Sequence, residues 1–268
     1  MSLKTENTIQ SKRSRTDGAA AGVFGRCGTG KVIADSVLDW IYPRRCPVCD
    51  GILGKKEPYI CRNCARKLKP VEEPRCRKCS KSIHSWTEEY CTECGKGRHF
   101  YDWGFAVYPY HGPIQGSLMR FKYSGRQEYA GFYARAIAVY GDRMIRRTKA
   151  EVLVPVPIHR KKLRTRGYNQ AEVLARCLAK ETGLPVDSSL VLRKKNTLPQ
   201  KELDPEERRK NLREAFCLRH PEKKIPYRRI LLVDDIYTTG STVDALAALF
   251  RQAGVEAIFF VTVAIGNN

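Results

Sequence analysis

Beyond about residue 100, the hydrophobic residues follow two alternating patterns. Short continuous apolar runs predict buried strands, and between them apolar residues recur at helical spacing. The predicted strands are residues 105–108, 151–154, 189–192, 230–233 and 257–265. The predicted helices are residues 127–147, the segment from Asn169 to Gly183, and residues 243–250. Strands that alternate with helices are typical of a doubly wound parallel sheet, so we expect an α/β fold.

The first hundred residues lack this pattern. Residues 1–31 are rich in Ser, Gly, Ala and basic residues without periodicity, which predicts a disordered basic tail. Apolar residues return at helical spacing over 32–41 and predict a short helix. We therefore expect three parts: the tail, a small cysteine-rich module over 32–100, and the α/β domain over 101–268.

Eight of the 11 cysteines fall on an internal repeat. Two successive units have the spacing C-x2-C-x11-C-x2-C, and their residues are Cys46, Cys49, Cys61 and Cys64, then Cys76, Cys79, Cys91 and Cys94. Each C-x-x-C pair directs two sulfurs at one point, and Zn²⁺ favours four thiolates in a closed structural site. Disulfides are the alternative, but they need an oxidising compartment, and we expect no secretory segment or membrane insertion. The spacing therefore predicts two structural zinc sites.

The spacing leaves the pairing of these cysteines open. Neighbouring pairs that share an ion would give two stacked ribbons, whereas a cross-braced arrangement would join the first pair of each unit. The repeat favours stacked ribbons, because each 30-residue unit is then self-sufficient. We expect His84 and His99 to be surface residues rather than ligands, and Cys177 to be a small core residue.

The composition adds a strong positive charge. The chain has 49 Lys and Arg residues against 28 Asp and Glu residues, which gives a formal net charge of +21. Two tetrathiolate zinc sites would reduce this to roughly +17, since each would carry a charge of about −2. Such a field attracts polyanions, including nucleic acid and phosphorylated metabolites, although many soluble proteins are basic without that role.

An acidic pair follows the strand predicted at 230–233. Asp234 and Asp235 repel each other unless a cation or hydroxyl groups meet them, and open parallel sheets bind ligands at the carboxyl ends of strands. The turn that follows is Thr238, Thr239, Gly240, Ser241 and Thr242. At a helix N-terminus, such a turn presents N–H and hydroxyl groups to one anion. The run therefore predicts a polyol or metal site beside a phosphate site, which is the combination that a ribose 5-phosphate requires. The alternative is an ordinary turn whose hydroxyl groups cap the helix.

Two other polar segments accompany this motif. Five cations fall within seven residues after the strand at 151–154, and they are Arg160, Lys161, Lys162, Arg164 and Arg166. Such a segment is either a solvated basic loop or an anion site opposite the acidic pair. Residues 193–229 form a polar stretch that is unusually long for a connection within a compact domain, which favours a functional loop.

The acidic run at 230–242 resembles the phosphoribosyl-pyrophosphate (PRPP) motif of type I phosphoribosyltransferases. Over residues 35–266 the chain resembles the ComF family, in which a double zinc ribbon precedes such a domain. The other matching positions are residues 39–49, 121–123, 154–157 and 166–172, and then Thr197, Gln200, Arg208, Asn211, Ala215 and Phe216. Trp40 stands where the family usually has Leu or Phe. The resemblance implies a type I phosphoribosyltransferase-like sheet preceded by a zinc-ribbon module.

The resemblance also implies roles for the site residues. Asp234 and Asp235 would hold the ribose hydroxyls of PRPP or another sugar 5-phosphate, with Mg²⁺ near the diphosphate. The turn at 238–242 would bind the 5′-phosphate, and the loop from Pro157 to Arg160 would face the diphosphate. The residues of a loop that would close over the site are Lys194, Lys195, Thr197, Gln200 and Arg208. The candidates for a catalytic role are Asp234, Asp235, Arg160 and Lys194.

Three functions are compatible with these features. The first is an enzyme that transfers phosphoribosyl groups, either in DNA uptake or in a salvage reaction unrelated to it. The second is a protein that binds single-stranded DNA, with stacking platforms among Trp103, Tyr108, Tyr110 and Tyr123, although aromatic residues are more often part of the core. The third is a sensor that binds PRPP without turnover. The resemblance favours a cytoplasmic protein that assists uptake of transforming DNA, together with other uptake proteins, and that retains PRPP binding.

Overall fold

The structure is a computed structural model that describes residues 43–97, 99–194 and 215–266. The predicted tail over 1–31 and the predicted helix at 32–41 lie outside the described residues. Within the described ranges, no helix has both the length and the apolar character needed to cross a membrane.

Six strands and seven helices form the regular structure of these residues. The strands are β1 (Trp103–Pro109), β2 (Val152–Pro155), β3 (Val191–Arg193), β4 (Phe216–Leu218), β5 (Arg229–Tyr237) and β6 (Ala257–Ile265). The helices are α1 (Arg62–Lys67), α2 (Thr92–Lys96), α3 (Gly112–Tyr123), α4 (Tyr129–Thr148), α5 (Arg160–Arg166), α6 (Gln170–Thr182) and α7 (Ser241–Gln252). The order β1-β6-β5-β2 forms a parallel sheet, and β3 pairs with β4 in antiparallel fashion. The predicted α/β class is confirmed.

The parallel sheet is covered on both faces. All nine residues of β6 are buried, as expected for a central strand between two helix layers. Along β5, Leu231 and Val233 enter a cluster with α4 and α6, whereas Ile230 and Leu232 pack with α7. The carboxyl ends of the strands therefore open between two helix layers, where ligands of such sheets bind.

Three local predictions differ from the structure. The chain from Gly112 to Tyr123 is a helix that the sequence analysis did not predict. The basic segment expected as a loop is helix α5, which carries one aliphatic residue, Leu163, and buries none, so no periodicity marks it. Strand β5 continues through Tyr237, because polar residues interrupt its apolar run without ending the pairing with β6. The acidic pair therefore lies within the strand rather than after it.

Each cysteine unit packs against a different face of the sheet. Leu53 of the first unit joins the cluster that contains α4 and α6, and Ile83 of the second joins the cluster that contains α7. Asp50 accepts a hydrogen bond from the hydroxyl of Tyr129 at 2.5 Å and pairs with Arg126 at 3.2 Å. The module thus completes both cores instead of building one of its own, in keeping with its few aliphatic side chains.

Candidate functional site

The acidic pair lies near the carboxyl end of β5 and faces both helix layers. Asp234 lies opposite Thr262 in the register with β6, and Asp235 is buried, with 7% of its surface exposed. Successive side chains of a strand point to opposite faces. Asp235 accordingly meets Lys122 on one face, whereas Asp234 interacts electrostatically with Arg193 on the other. The pair therefore connects two groups of cations.

Lys122 supplies the closest countercharge. It occupies the last turn of α3, and its Nζ lies 2.6 Å from Oδ2 of Asp235. Burial alone would lower the pKa of Lys122, but the carboxylates of Asp235 and Asp234 outweigh burial and leave its pKa raised. Tyr168 fixes the end of α3, because its hydroxyl donates to the carbonyl of Phe121. Lys122 lies in the family motif at residues 121–123, but the sequence predicts no role for it. Its partner, Asp235, is distant along the chain.

The fold disfavours a negative charge on the carboxyl group of Asp234. Burial, together with the negative charge of Asp235, raises the pKa of Asp234 well above the ordinary value, and Lys122 offsets this only in part. The backbone N–H of Asp235 donates to Oδ1 of Asp234 at 2.8 Å. Carboxylate oxygens bind Mg²⁺ and accept hydrogen bonds from the hydroxyl groups of a ribose. Either ligand would favour the charged form of Asp234. The chemistry of the pair fits both ligands predicted from the sequence.

The predicted phosphate turn joins β5 to α7. Gly240 has a left-handed backbone with φ 78°, and a Cβ at this position would lie 2.3 Å from Oη of Tyr237. The turn therefore requires glycine. Thr238 and Thr239 are exposed, and the hydroxyls of Thr239 and Ser241 lie 2.8 Å apart. This places hydroxyl and N–H groups together at the N-terminus of α7, an arrangement suited to a phosphate.

Three other predicted residues line one cavity. Pro157, Arg160 and Lys194 border a cavity of about 590 Å³ formed by the carboxyl end of β2, α5 and β3. The acidic pair is not among its described lining residues, but Arg193 lines it and interacts with Asp234. The volume is within the usual range for a small-molecule site. Arg193 thus connects this cavity to the acidic pair, although the sequence analysis assigned it no role.

Positive charges converge beside the acidic pair. The pKa of Lys162 is lowered by burial and by the charges of Arg193, Arg166 and Lys122. Cations that gather where they are partly desolvated repel one another, so an anionic ligand there would be favourable. The remaining predicted loop residues, Lys195, Thr197, Gln200 and Arg208, lie outside the described residues.

The eight repeat cysteines form two compact clusters. Each cluster joins the four cysteines of one unit, and its ligand atoms all lie within 4.8 Å of one another. The pairing is therefore the stacked one, not the cross-braced one. The Sγ atoms of Cys49 and Cys61 are 3.9 Å apart, and those of Cys79 and Cys91 are 3.7 Å apart. A tetrahedral zinc ion with bonds of about 2.3 Å to sulfur requires separations of about 3.8 Å, so both clusters fit structural zinc.

The segment that follows the second ribbon contacts β5 and α7, on either side of the phosphate turn, through polar pairs. His99 was expected at the surface, but its side chain is 11% exposed and its Nδ1 lies 2.6 Å from Oδ2 of Asp244 in the first turn of α7. The predicted surface position is wrong for His99, because its partner is distant along the chain, but His99 belongs to neither of the metal-ligating clusters found among the described residues. The hydroxyls of Tyr101 and Tyr237 lie 2.8 Å apart in the interior, beneath Gly240. His84 is exposed, as predicted.

The four aromatic residues proposed as stacking platforms differ in exposure. Tyr108 is buried in the core, and Trp103 and Tyr110 are partly buried and pack against it. Tyr123 is 63% exposed. Of the four, Tyr123 alone is largely exposed to solvent.

Comparison with known proteins identifies two domains in the chain. A double zinc ribbon domain matches residues 37–96, and a phosphoribosyl transferase domain matches residues 164–268. The first match contains both cysteine clusters. The second begins within the basic helix α5 and contains the acidic pair and the phosphate turn.

Three curated relatives each match a little over half of the chain. Competence protein F of Haemophilus influenzae is 36% identical over 149 residues, which are 54% of this chain and 65% of that protein. DNA utilization protein YhgH of Escherichia coli is 31% identical over 156 residues, 57% of this chain and 67% of that protein. Competence protein ComFC of Bacillus subtilis is 29% identical over 157 residues, 57% of this chain and 59% of that protein. The matches thus span about two thirds or less of each relative. With a double zinc ribbon followed by a phosphoribosyltransferase domain, the chain belongs to the ComF family.

Proposed function

We propose that this protein binds Mg²⁺–PRPP and transfers its phosphoribosyl group to an acceptor during DNA utilisation. One observation carries the proposal: the Asp234–Asp235 pair, countered by Lys122, lies directly before the phosphate turn. Asp234 and Asp235 would hold the ribose hydroxyls, and the turn would hold the 5′-phosphate. Arg160 and Lys194, in the adjoining cavity, would face the diphosphate.

Phosphoribosyl transfer requires no covalent bond between the protein and the substrate. The bond from C1′ to the diphosphate oxygen breaks, its electron pair leaves with the diphosphate, and the acceptor forms the new bond to C1′ as it loses a proton. Cations placed at the departing oxygens stabilise the transition state, which is the role assigned to Arg160 and Lys194. Bound Mg²⁺ would neutralise further charge on the diphosphate.

Calorimetric titration with Mg²⁺–PRPP tests the site. Asp235→Asn removes an acceptor of the ribose hydroxyls, and we expect affinity to fall at least about tenfold, the usual loss for a hydrogen bond to a charged group. Asp142→Asn is the matched control, because Asp142 is an exposed carboxylate on α4 that pairs with Arg146. Equal affinity of wild type and Asp235→Asn would contradict the site assignment.

Release of diphosphate tests turnover. Release that depends on an added base or amine would support transfer, whereas tight PRPP binding without release would favour a PRPP sensor. The names of the relatives refer to competence and DNA utilization. On that basis we propose that the protein acts with single-stranded DNA and other uptake proteins in the cytoplasm, where reduced cysteines can hold zinc.

A further inference from the structure

An aromatic–cation pair lies at the exposed edge between α3 and α5, outside the proposed sugar phosphate site. The guanidinium carbon of Arg166 lies 4.7 Å from the ring centroid of Tyr123, and Nη2 of Arg166 donates to the Tyr123 hydroxyl at 3.0 Å. Tyr123 directly follows Lys122, whose Nζ meets Asp235. The pair is therefore a neighbour of the acidic pair.

The position of Arg166 is fixed from the interior. Its Nη1 donates to Oε1 of Gln170 at 2.9 Å, and Gln170 is only 2% exposed. The guanidinium plane is thus held before any ligand arrives, which lowers the entropic cost of stacking a second flat group on Tyr123. A contact that served only to join the two helices would need no exposed ring, yet Tyr123 remains 63% exposed.

The surface around this pair is strongly basic. Arg160, Lys161 and Arg164 of α5 are exposed, and the helix contains no acidic residue. Within the described residues, none of the α5 cations has an ion pair with a carboxylate, whereas Arg176 on the next helix pairs with Glu172 at 2.7 Å. A row of cations that pair with no described carboxylate, beside an exposed aromatic ring, is the combination that proteins use to hold single-stranded nucleic acid.

We infer that Tyr123 and Arg166 form a stacking site for a nucleobase. The cations of α5 hold the phosphates of the strand that carries the base. This inference rests on the proposed function and deepens it, since it places a base next to the sugar phosphate site. The same ring would also accept a free nucleobase. The experiment must therefore distinguish a base within a DNA strand from a free base.

Fluorescence anisotropy with two labelled single strands tests the stacking site in the full-length protein. One strand is oligo(dT) and the other is an abasic strand of equal length and charge. We expect Tyr123→Ala to weaken oligo(dT) binding roughly fivefold to 150-fold, the usual effect of losing one stacked base, and to leave abasic-strand binding unchanged. Tyr123→Phe should retain most of the affinity, because stacking needs the ring and not the hydroxyl.

Arg164→Ala is the matched control for charge. It should weaken both strands alike and reduce the salt dependence of binding by about one phosphate contact, whereas Tyr123→Ala should leave the salt dependence as it is. Zinc content and thermal unfolding of each variant show whether the fold is intact.

Titration with free nucleobases separates the two sources. Binding of free base that depends on Tyr123, with oligo(dT) unaffected, would support the stacking site with a free base as its ligand. Folded Tyr123→Ala that binds oligo(dT) and free bases as wild type does would overturn the inference. A wild-type protein that binds oligo(dT) through Tyr123 but does not bind PRPP would instead contradict the proposed function alone.

Discussion

The charge of Asp234 has a consequence for stability. Its pKa is raised in the folded protein, so the folded state binds more protons at this residue than the unfolded chain. The free energy of unfolding therefore falls as pH rises from the ordinary carboxyl pKa of about 3.9 through the raised value. Such a cost is typical of binding sites, where a ligand rather than the fold satisfies the charge.

We expect Asp234→Asn to stabilise the ligand-free protein by about 1 kcal/mol at neutral pH and to flatten the dependence of stability on pH. The same change should weaken PRPP binding. Urea denaturation at several pH values measures the first effect. Asp235→Asn is the control, and it should not stabilise, because it leaves Lys122 without its countercharge. A lower unfolding free energy for Asp234→Asn than for wild type at neutral pH would refute the prediction.

At the residue scale, the sequence identifies groups that are contiguous and misses groups that meet only in the fold. The eight cysteines and the acidic run are read from local spacing, because their chemistry depends on neighbours in the chain. Lys122, Arg193 and His99 were missed or misplaced, because each has its partner on a distant segment. Their residue types alone are typical of any basic surface.

At the element scale, apolar periodicity predicts the elements of the core and fails for those at the ligand edge. Strand β6 has the predicted bounds, since every residue in it is buried. Helix α6 begins after its predicted cap at Asn169 and ends at Gly183. Helix α5 buries no residue, and the extension of β5 carries the acidic pair. At the ligand edge, charged residues occupy positions that would be apolar in a core element, so the apolar periodicity is lost.

The contact between Tyr101, which follows the second ribbon, and Tyr237 at the end of β5 leads to a prediction of its own. Tyr101→Phe leaves the buried hydroxyl of Tyr237 without its partner, which should lower the free energy of unfolding by about 1–3 kcal/mol. Because Tyr237 packs beneath Gly240, PRPP affinity should fall as well. Urea denaturation and calorimetry measure the two effects. Tyr140→Phe is the matched control, since Tyr140 lies partly exposed on α4, and a Tyr101→Phe protein indistinguishable from it would contradict the coupling.

At the scale of the whole molecule, the two ribbons and the sheet form shared cores. Cys46 is fully buried in the cluster with α4, and Cys76 is buried in the cluster with α7. Without metal, four thiolates placed this close together lack the ion that offsets their mutual repulsion, so the cysteines must bind protons instead. The free energy of metal binding is then part of the free energy of folding. Zinc should therefore support both faces of the sheet, although no cysteine ligand touches the acidic pair.

Chelation of zinc tests this organisation. We expect residues 44–97 to lose protection first in limited proteolysis, because both cysteine clusters lie within them and metal binding contributes to their folding. Loss should then extend to the first turn of α7, where Asp244 pairs with His99 of the segment that follows the second ribbon, and PRPP affinity should fall with it. Restored zinc should reverse both effects, and Cys177→Ser should keep a wild-type zinc content, since Cys177 lies outside the clusters. Proteolysis of residues 44–97 at an unchanged rate after metal removal would show that the ribbons fold without zinc.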